Sequence, residues 1–155
     1  LIQYHQMTTD SDMDNFIEMR DYDASIHREI LDSLLKGDAQ SDPILIEICE
    51  DRAVSEMKSY LSKFYDTEAI FSARGTDRHP LILMMCLDIA VYHIFCLHNP
   101  YKISDIRKDR YERAVAWMKE VAKGLVTIDG APRKSEEDSS NPWQITSDTH
   151  RGTYL

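Results

Sequence analysis

HPLILMMCLDIAVYHIF, residues 79–95, decides the fold. Pro80 has no backbone N–H to lose at a helix start, and the fifteen positions after it show no alternation of apolar and polar residues. A stretch apolar nearly all round is the central helix of a bundle, covered on most sides by neighbours. Asp88 and His93 stand near its middle, and its apolar run falls short of the ~20 clean residues of a membrane span, so it reads as buried in protein. Asn99 and Pro100 end it, which gives a helix over residues 80–98.

The same logic extends outward. Ser104 caps a helix over residues 105–123, in which Ile106, Tyr111, Ala114, Val115, Met118, Val121 and Ala122 are core-spaced. Lys119, Lys123 and Gly124 complete its C-terminus. On the other side, Asp42-Pro43 starts a long helix over 43–65, with Ile46, Cys49, Ala53, Met57, Tyr60 and Phe64 on one face. Residues 66–79 break the period and contain Gly75, and read as a loop. Two further helices are expected over 10–19 and 24–36, the second striped by Ile26, Ile30, Leu31, Leu34 and Leu35 and stopped by Gly37.

The expected architecture is all-α: a compact bundle of about five helices, three of them long core helices at 43–65, 80–98 and 105–123. Cys49, Met57, Phe64, Leu83, Leu87, Val91, Ala114, Met118 and Val121 are the expected core. The helical domain occupies residues 1–130. A polar, breaker-rich C-terminal tail, 131–155, cannot bury enough to order itself without a partner.

Composition narrows the function. The 155 residues hold only five Gly and five Pro, against the turn-dense pattern of a large β protein. The formal charge of −9 disfavours a general duplex-DNA binder, which needs clustered Lys and Arg to displace phosphate counterions. That whole charge lies in residues 1–66, with 15 acids and 6 bases, while 67–155 carry 12 of each. One acidic face follows, with Glu47, Glu50 and Asp51 as its candidates. The three cysteines, Cys49, Cys86 and Cys96, sit in apolar segments without CxxC spacing and suit a reducing compartment. The chain opens without a basic-plus-apolar leader.

Chemistry is sparse. No HExxH, GxGxxG, P-loop or GxSxG is present, and no His has Glu three residues before it. Cys86, His93 and Cys96 are the best metal candidates, but one helix cannot wrap a tetrahedral ion. The expectation is a protein that is not an enzyme and takes no metal or cofactor. Asp88, amid apolar residues, requires a cation: Arg52 on the preceding long helix first, with Arg110 or Arg113 on the next also available.

Three segments in order resemble one family. EDRAVSEMKSYLSKFYD (50–66) is similar to its Asp-Arg-Ala turn followed by Ser-Tyr-Leu, and HPLILMMCLDIAVYHIF (79–95) to its Pro-Leu opening and Cys-Asp-Ile-Ala core. RYERAVAWMKEVAKGLVTI (110–128) resembles its Arg-Tyr-Glu-x-Ala and Ala-x-Gly ending. The family is that of the Mu-like prophage gp36 proteins, related in helical layout to the head-tail adaptors, or connectors, of tailed phages.

The resemblance implies a structural virion protein, made in the bacterial cytoplasm and placed at the head-tail interface of the capsid vertex. There it would form a homo-oligomeric ring, twelvefold, between the portal protein and a neighbouring tail or stopper protein. Genomic DNA would pass through without specific binding, and no membrane is involved. In that setting Glu47, Glu50 and Asp51 would face the DNA channel. The tail residues Asn141, Pro142, Trp143, Gln144, Ile145, Tyr154 and Leu155 would dock on portal, Trp143 and Ile145 sharing one face of an extended segment. The competing reading is a small helical regulatory or DNA-binding module, for which residues 105–123, with six bases against four acids, are the only basic helix.

Overall fold

The computed structural model describes residues 15–25, 42–98, 101 and 103–135. Among the described residues five α-helices follow one another: α1 (Met19–Ser25), α2 (Asp42–Leu61), α3 (Thr67–Ser72), α4 (Pro80–His98) and α5 (Asp105–Ala122), with a 3-10 turn at Gly75–Asp77. No strand occurs among the described residues, only an isolated antiparallel bridge between Tyr65 and Arg133. The all-α bundle is as expected, and its three long helices begin and end within a few residues of their expected limits.

The central helix α4 packs against both α2 and α5. Glu56 on α2 meets both His93 on α4 and Tyr111 on α5, while Phe64, just past the end of α2, lies against Gly124, just past the end of α5, so α2 runs in the direction of α5 and against that of α4. Tyr92 stacks on Tyr111, Asp88 pairs with Arg113 and Phe95 lies under Arg107, so α5 runs antiparallel to α4. The apolar window Pro80–Leu97, with a mean hydropathy of 2.0, is long and apolar enough to cross a bilayer, yet half of it is buried by these neighbours. Ile82, Cys86, Ile89, Ala90 and Val91 are closed from solvent on several sides, as an all-round apolar helix requires.

Residues 62–79 form a short crossover from the end of α2 to the start of α4, which lie at the same end of the bundle. The expectation of a loop there is corrected: Asp66 caps α3, its carboxylate accepting from the Ala69 N–H at 3.1 Å, and Ile70 and Phe71 enter the core. Two adjacent buried residues carry no periodic signal that sequence could show. The long helix ends at Leu61 rather than Tyr65, because the backbone of 64–66 pairs instead with the chain after α5. Asp66 N–H donates to Pro132 O (3.0 Å) and Lys134 N–H to Phe64 O (3.1 Å).

At the C-terminus of α5, Gly124 takes φ 78°, the left-handed conformation that lets its N–H reach Val121 O and the Leu125 N–H reach Glu120 O, each at 3.0 Å. The chain then turns back along the bundle. Ile128 is buried and donates its N–H to the Tyr65 hydroxyl at 2.7 Å, and Asp129 O lies 2.7 Å from the His79 ring. Thus residues 131–135, expected in the tail, are tied to the bundle; 136–155 lie outside the described residues.

Of the expected core, Cys49, Met57, Leu87, Val91, Ala114, Met118 and Val121 are buried, while Phe64 and Leu83 are half-buried against it. Ile106 is corrected from core to surface: it lies on the flank of α5 with Arg110 and Arg113, turned away from the stripe of Ala114, Met118 and Val121 that faces the core. The expected helix over 10–19 is corrected too: Asn15–Ile17 form a bend, and the helix begins at Met19. Phe16 and Ile17 nonetheless enter the core, Phe16 meeting Phe71 edge-on with ring centroids 4.9 Å apart. The expected helix over 24–36 lies outside the described residues beyond Ser25.

Candidate assembly surface

Polar groups inside the bundle act as locks between helices. Glu56 on α2 is the hub: its Oε2 lies 3.1 Å from His93 Nε2 on α4, and its Oε1 accepts from the Tyr111 hydroxyl on α5 at 3.0 Å. Tyr92 and Tyr111 stack at 4.1 Å beside it. Partial burial, then the bond to Glu56 and its charge, push the Tyr111 phenol up to about 12. The metal candidates are not brought together. His93 turns to Glu56, Cys86 is fully buried, and Cys96 is half-buried as a free thiol. Among the described residues no group of three His, Cys, Asp or Glu side chains could hold a metal ion.

Asp88 pairs with Arg113 on α5, Nη2 to Oδ2 at 3.0 Å, and not with Arg52, which is exposed. The reason is the direction of α2: its core stripe runs through Cys49, Ala53 and Met57, which turns Arg52 outward. The pair is asymmetric, since the Asp88 side chain is 6% exposed and that of Arg113 55%. Replacing Arg113 with alanine leaves a buried carboxylate without its cation and should cost about 1–3 kcal/mol. Replacing Asp88 with asparagine leaves an arginine that water can solvate, at under about 1 kcal/mol. Urea midpoints of the two variants check the order; equal losses would show that the burial asymmetry carries no energy.

Glu50 is the second correction. It was expected on an acidic face with Glu47 and Asp51, but it is buried and accepts from the Tyr22 hydroxyl of α1 at 2.7 Å. A glutamate amid solvent-facing acids carries no sign in sequence that a tyrosine 28 positions earlier will reach it. Burial, then the Glu50 charge and bond, raise the Tyr22 phenol above its ordinary value of 10.0. The folded chain therefore holds this proton more tightly than the unfolded chain. Stability from this group is intact below about pH 10 and falls above it, by about 1.4 kcal/mol per pH unit. Denaturation at about pH 9 and about pH 11 should show the loss, with a shallower loss in Tyr22→Phe; identical losses would remove Tyr22 as a source.

The surface left over is patterned. On α2, Ile44, Glu47, Ile48 and Asp51 share the face opposite the core and are all exposed. On α5, Ile106, Arg110, Arg113 and Trp117 recur at i, i+4, i+7 and i+11 along one flank, Ile106 and Arg113 exposed and Arg110 and Trp117 half-buried. A shallow cavity of about 350 Å³ beside the crossover is lined by Ala69, Ala73, Asp77, His79 and Pro132 among others. It holds no convergent set of catalytic groups: Arg78 at its wall is spent on Asp21 and Phe16 O. The tail positions 141–145, 154 and 155 lie outside the described residues.

The fold thus defines an all-α bundle whose interior polar groups serve to fix its helices. A family model described as bacteriophage Mu, Gp36 matches residues 7–147, and the chain belongs to that family of phage proteins. No curated protein and no solved structure matches it.

Proposed function

We propose that this chain is a head-tail adaptor subunit of a tailed phage: a virion protein that assembles as a twelvefold homo-oligomeric ring beneath portal and forms part of the DNA channel. Membership of a phage family supports the setting. The observation that carries the assembling role is the placement of large apolar side chains on solvent-facing helix faces, Ile44 at 60% and Ile106 at 64% exposure, in a bundle whose interior carboxylates Glu50, Glu56 and Asp88 are each held by a partner within it. The formal charge of −9 per subunit, repeated around a ring, favours a channel that DNA slides through rather than sticks to.

The test is mass in solution, alone and with portal, for the whole chain and for a chain ending at residue 135. The whole chain should form a ring and bind portal. The shorter chain should keep its thermal stability and bind portal more weakly, because the aromatic anchor Trp143 is gone. A whole chain that stays monomeric and never associates with portal would favour the regulatory module instead.

A further inference from the structure

Two helix faces are unpartnered among the described residues, and they are complementary. The α2 face presents Ile44 and Ile48, 60% and 38% exposed, interleaved with the carboxylates of Glu47 and Asp51. Neither carboxylate has an ion-pair partner among the described residues. The α5 flank presents Ile106, 64% exposed, with Trp117 at the far end and Arg110 and Arg113 between them. Arg110 has no carboxylate partner among the described residues, and Arg113 spends one nitrogen on Asp88 while its side chain stays 55% exposed. Arg110 also stands close enough to Arg107 that the two like charges, after burial, lower the Arg107 guanidinium.

We propose that these faces bind each other between copies: the α2 stripe Ile44, Glu47, Ile48, Asp51 of one subunit seats on the α5 stripe Ile106, Arg110, Arg113, Trp117 of the next. The proposal rests on the ring reading and supplies its subunit contact. Charge complementarity selects the occupant, because a chain of net charge −9 offers a second copy an acidic stripe that matches its own basic one. The spacings agree. Glu47 and Asp51 are separated by about 6 Å of helix rise and Arg110 and Arg113 by about 4.5 Å, within the reach of two long guanidinium side chains. Ile106 and Trp117 add apolar area at the two ends of the stripe, and tryptophan and arginine are among the side chains that dominate interface energies.

The two faces are different patches of one chain, so the contact is head-to-tail, and repetition of it generates a ring when the rotation closes. A two-fold dimer would instead bury one patch against itself. The assignment also moves Glu47 and Asp51 from the channel wall, where the sequence reading set them, into the seam between subunits.

Charge reversal tests this with variants that leave the core untouched. Arg110→Glu and Asp51→Arg are made separately and together, each shown to melt within a few degrees of the parent, and the mass of each is measured by light scattering and native mass spectrometry. Arg113 is left alone because it holds Asp88. Each single variant should lose the ring, with assembly requiring at least about 10-fold more protein. The double variant should recover it, as should an equimolar mixture of the two singles, in which each reversed face meets its reversed complement. Single variants that assemble like the parent overturn the proposed seam and leave the ring reading standing. Single variants that fail to assemble, with no recovery in the double variant or the mixture, overturn the pairing of these stripes. An Arg110→Glu chain of unchanged mass that loses retention on duplex DNA gives the α5 stripe to phosphates instead. A parent chain that stays monomeric with and without portal sinks both the seam and the ring.

Discussion

Replacing Arg78 with alanine should destabilise the chain by about 3–5 kcal/mol, the largest loss expected from any single polar side chain here. Arg78 is buried at the end of the crossover, and its guanidinium holds together segments far apart in sequence. Nη1 donates to Phe16 O at 2.8 Å and to Asp21 Oδ2 at 2.6 Å, Nη2 donates to Asp21 Oδ1 at 3.2 Å, and Nε donates to Gly75 O at 2.8 Å. Glu18 adds a carboxylate 3.6 Å away and accepts from the Gly75 N–H at 3.2 Å. Removal of the guanidinium strands Asp21 half-desolvated and leaves the Phe16 carbonyl without its donor. Arg78→Lys should recover only part of the loss, since one ammonium cannot reproduce the planar fork that meets both Asp21 oxygens. Urea unfolding measures both. A loss under about 1 kcal/mol in Arg78→Ala would mean that residues 15–22 are held by Phe16, Ile17 and Tyr22 alone.

Ending the chain at residue 124 instead of residue 135 should cost a similar amount, about 3–5 kcal/mol. The segment removed buries Ile128, worth about 1.5–3 kcal/mol of apolar transfer. It also supplies the Ile128–Tyr65 bond and the two backbone bonds to 64–66, each worth about 1 kcal/mol net. The Arg133 guanidinium over the Tyr65 ring, 5.5 Å from its centroid, is lost as well. Ile128→Ala in the longer chain isolates the packing share, at about 2–3 kcal/mol. Thermal melts of the three chains settle the partition. If the chain ending at 124 melts with the longer one, the segment after α5 adds nothing to the bundle.

Both predictions concern contacts that the sequence showed only by halves. Ile128 ends an apolar stretch after Gly124 that is too short for periodicity, and Tyr65 reads as the last residue of a helix. Their meeting closes a loop of more than sixty residues, and no local pattern encodes it. The candidate surface was legible in a similar way. Glu47 and Asp51 are exposed, but Glu50 between them goes with Tyr22 into the core. Along α5, Ile106 reads as core because its spacing from Arg110 and Arg113 does not say how the helix is rotated against its neighbours.

By itself the sequence determined the helical class, the three long helices and their caps, the buried character of residues 80–98, and the need of Asp88 for a cation. Each of these follows from periodicity, from missing or satisfied backbone donors, or from the cost of desolvating a charge, and all act within a few turns of chain. Tertiary structure alone decided that α2 and α4 run antiparallel and that Asp88 takes Arg113. It also decided that Arg78 binds the bend before α1, and which faces of α2 and α5 stay open. Those outcomes depend on how helices are rotated and staggered against one another, and rotation is set by the packing of many side chains at once. A one-residue change of register would exchange Arg52 for a core position without altering the pattern that any single helix presents.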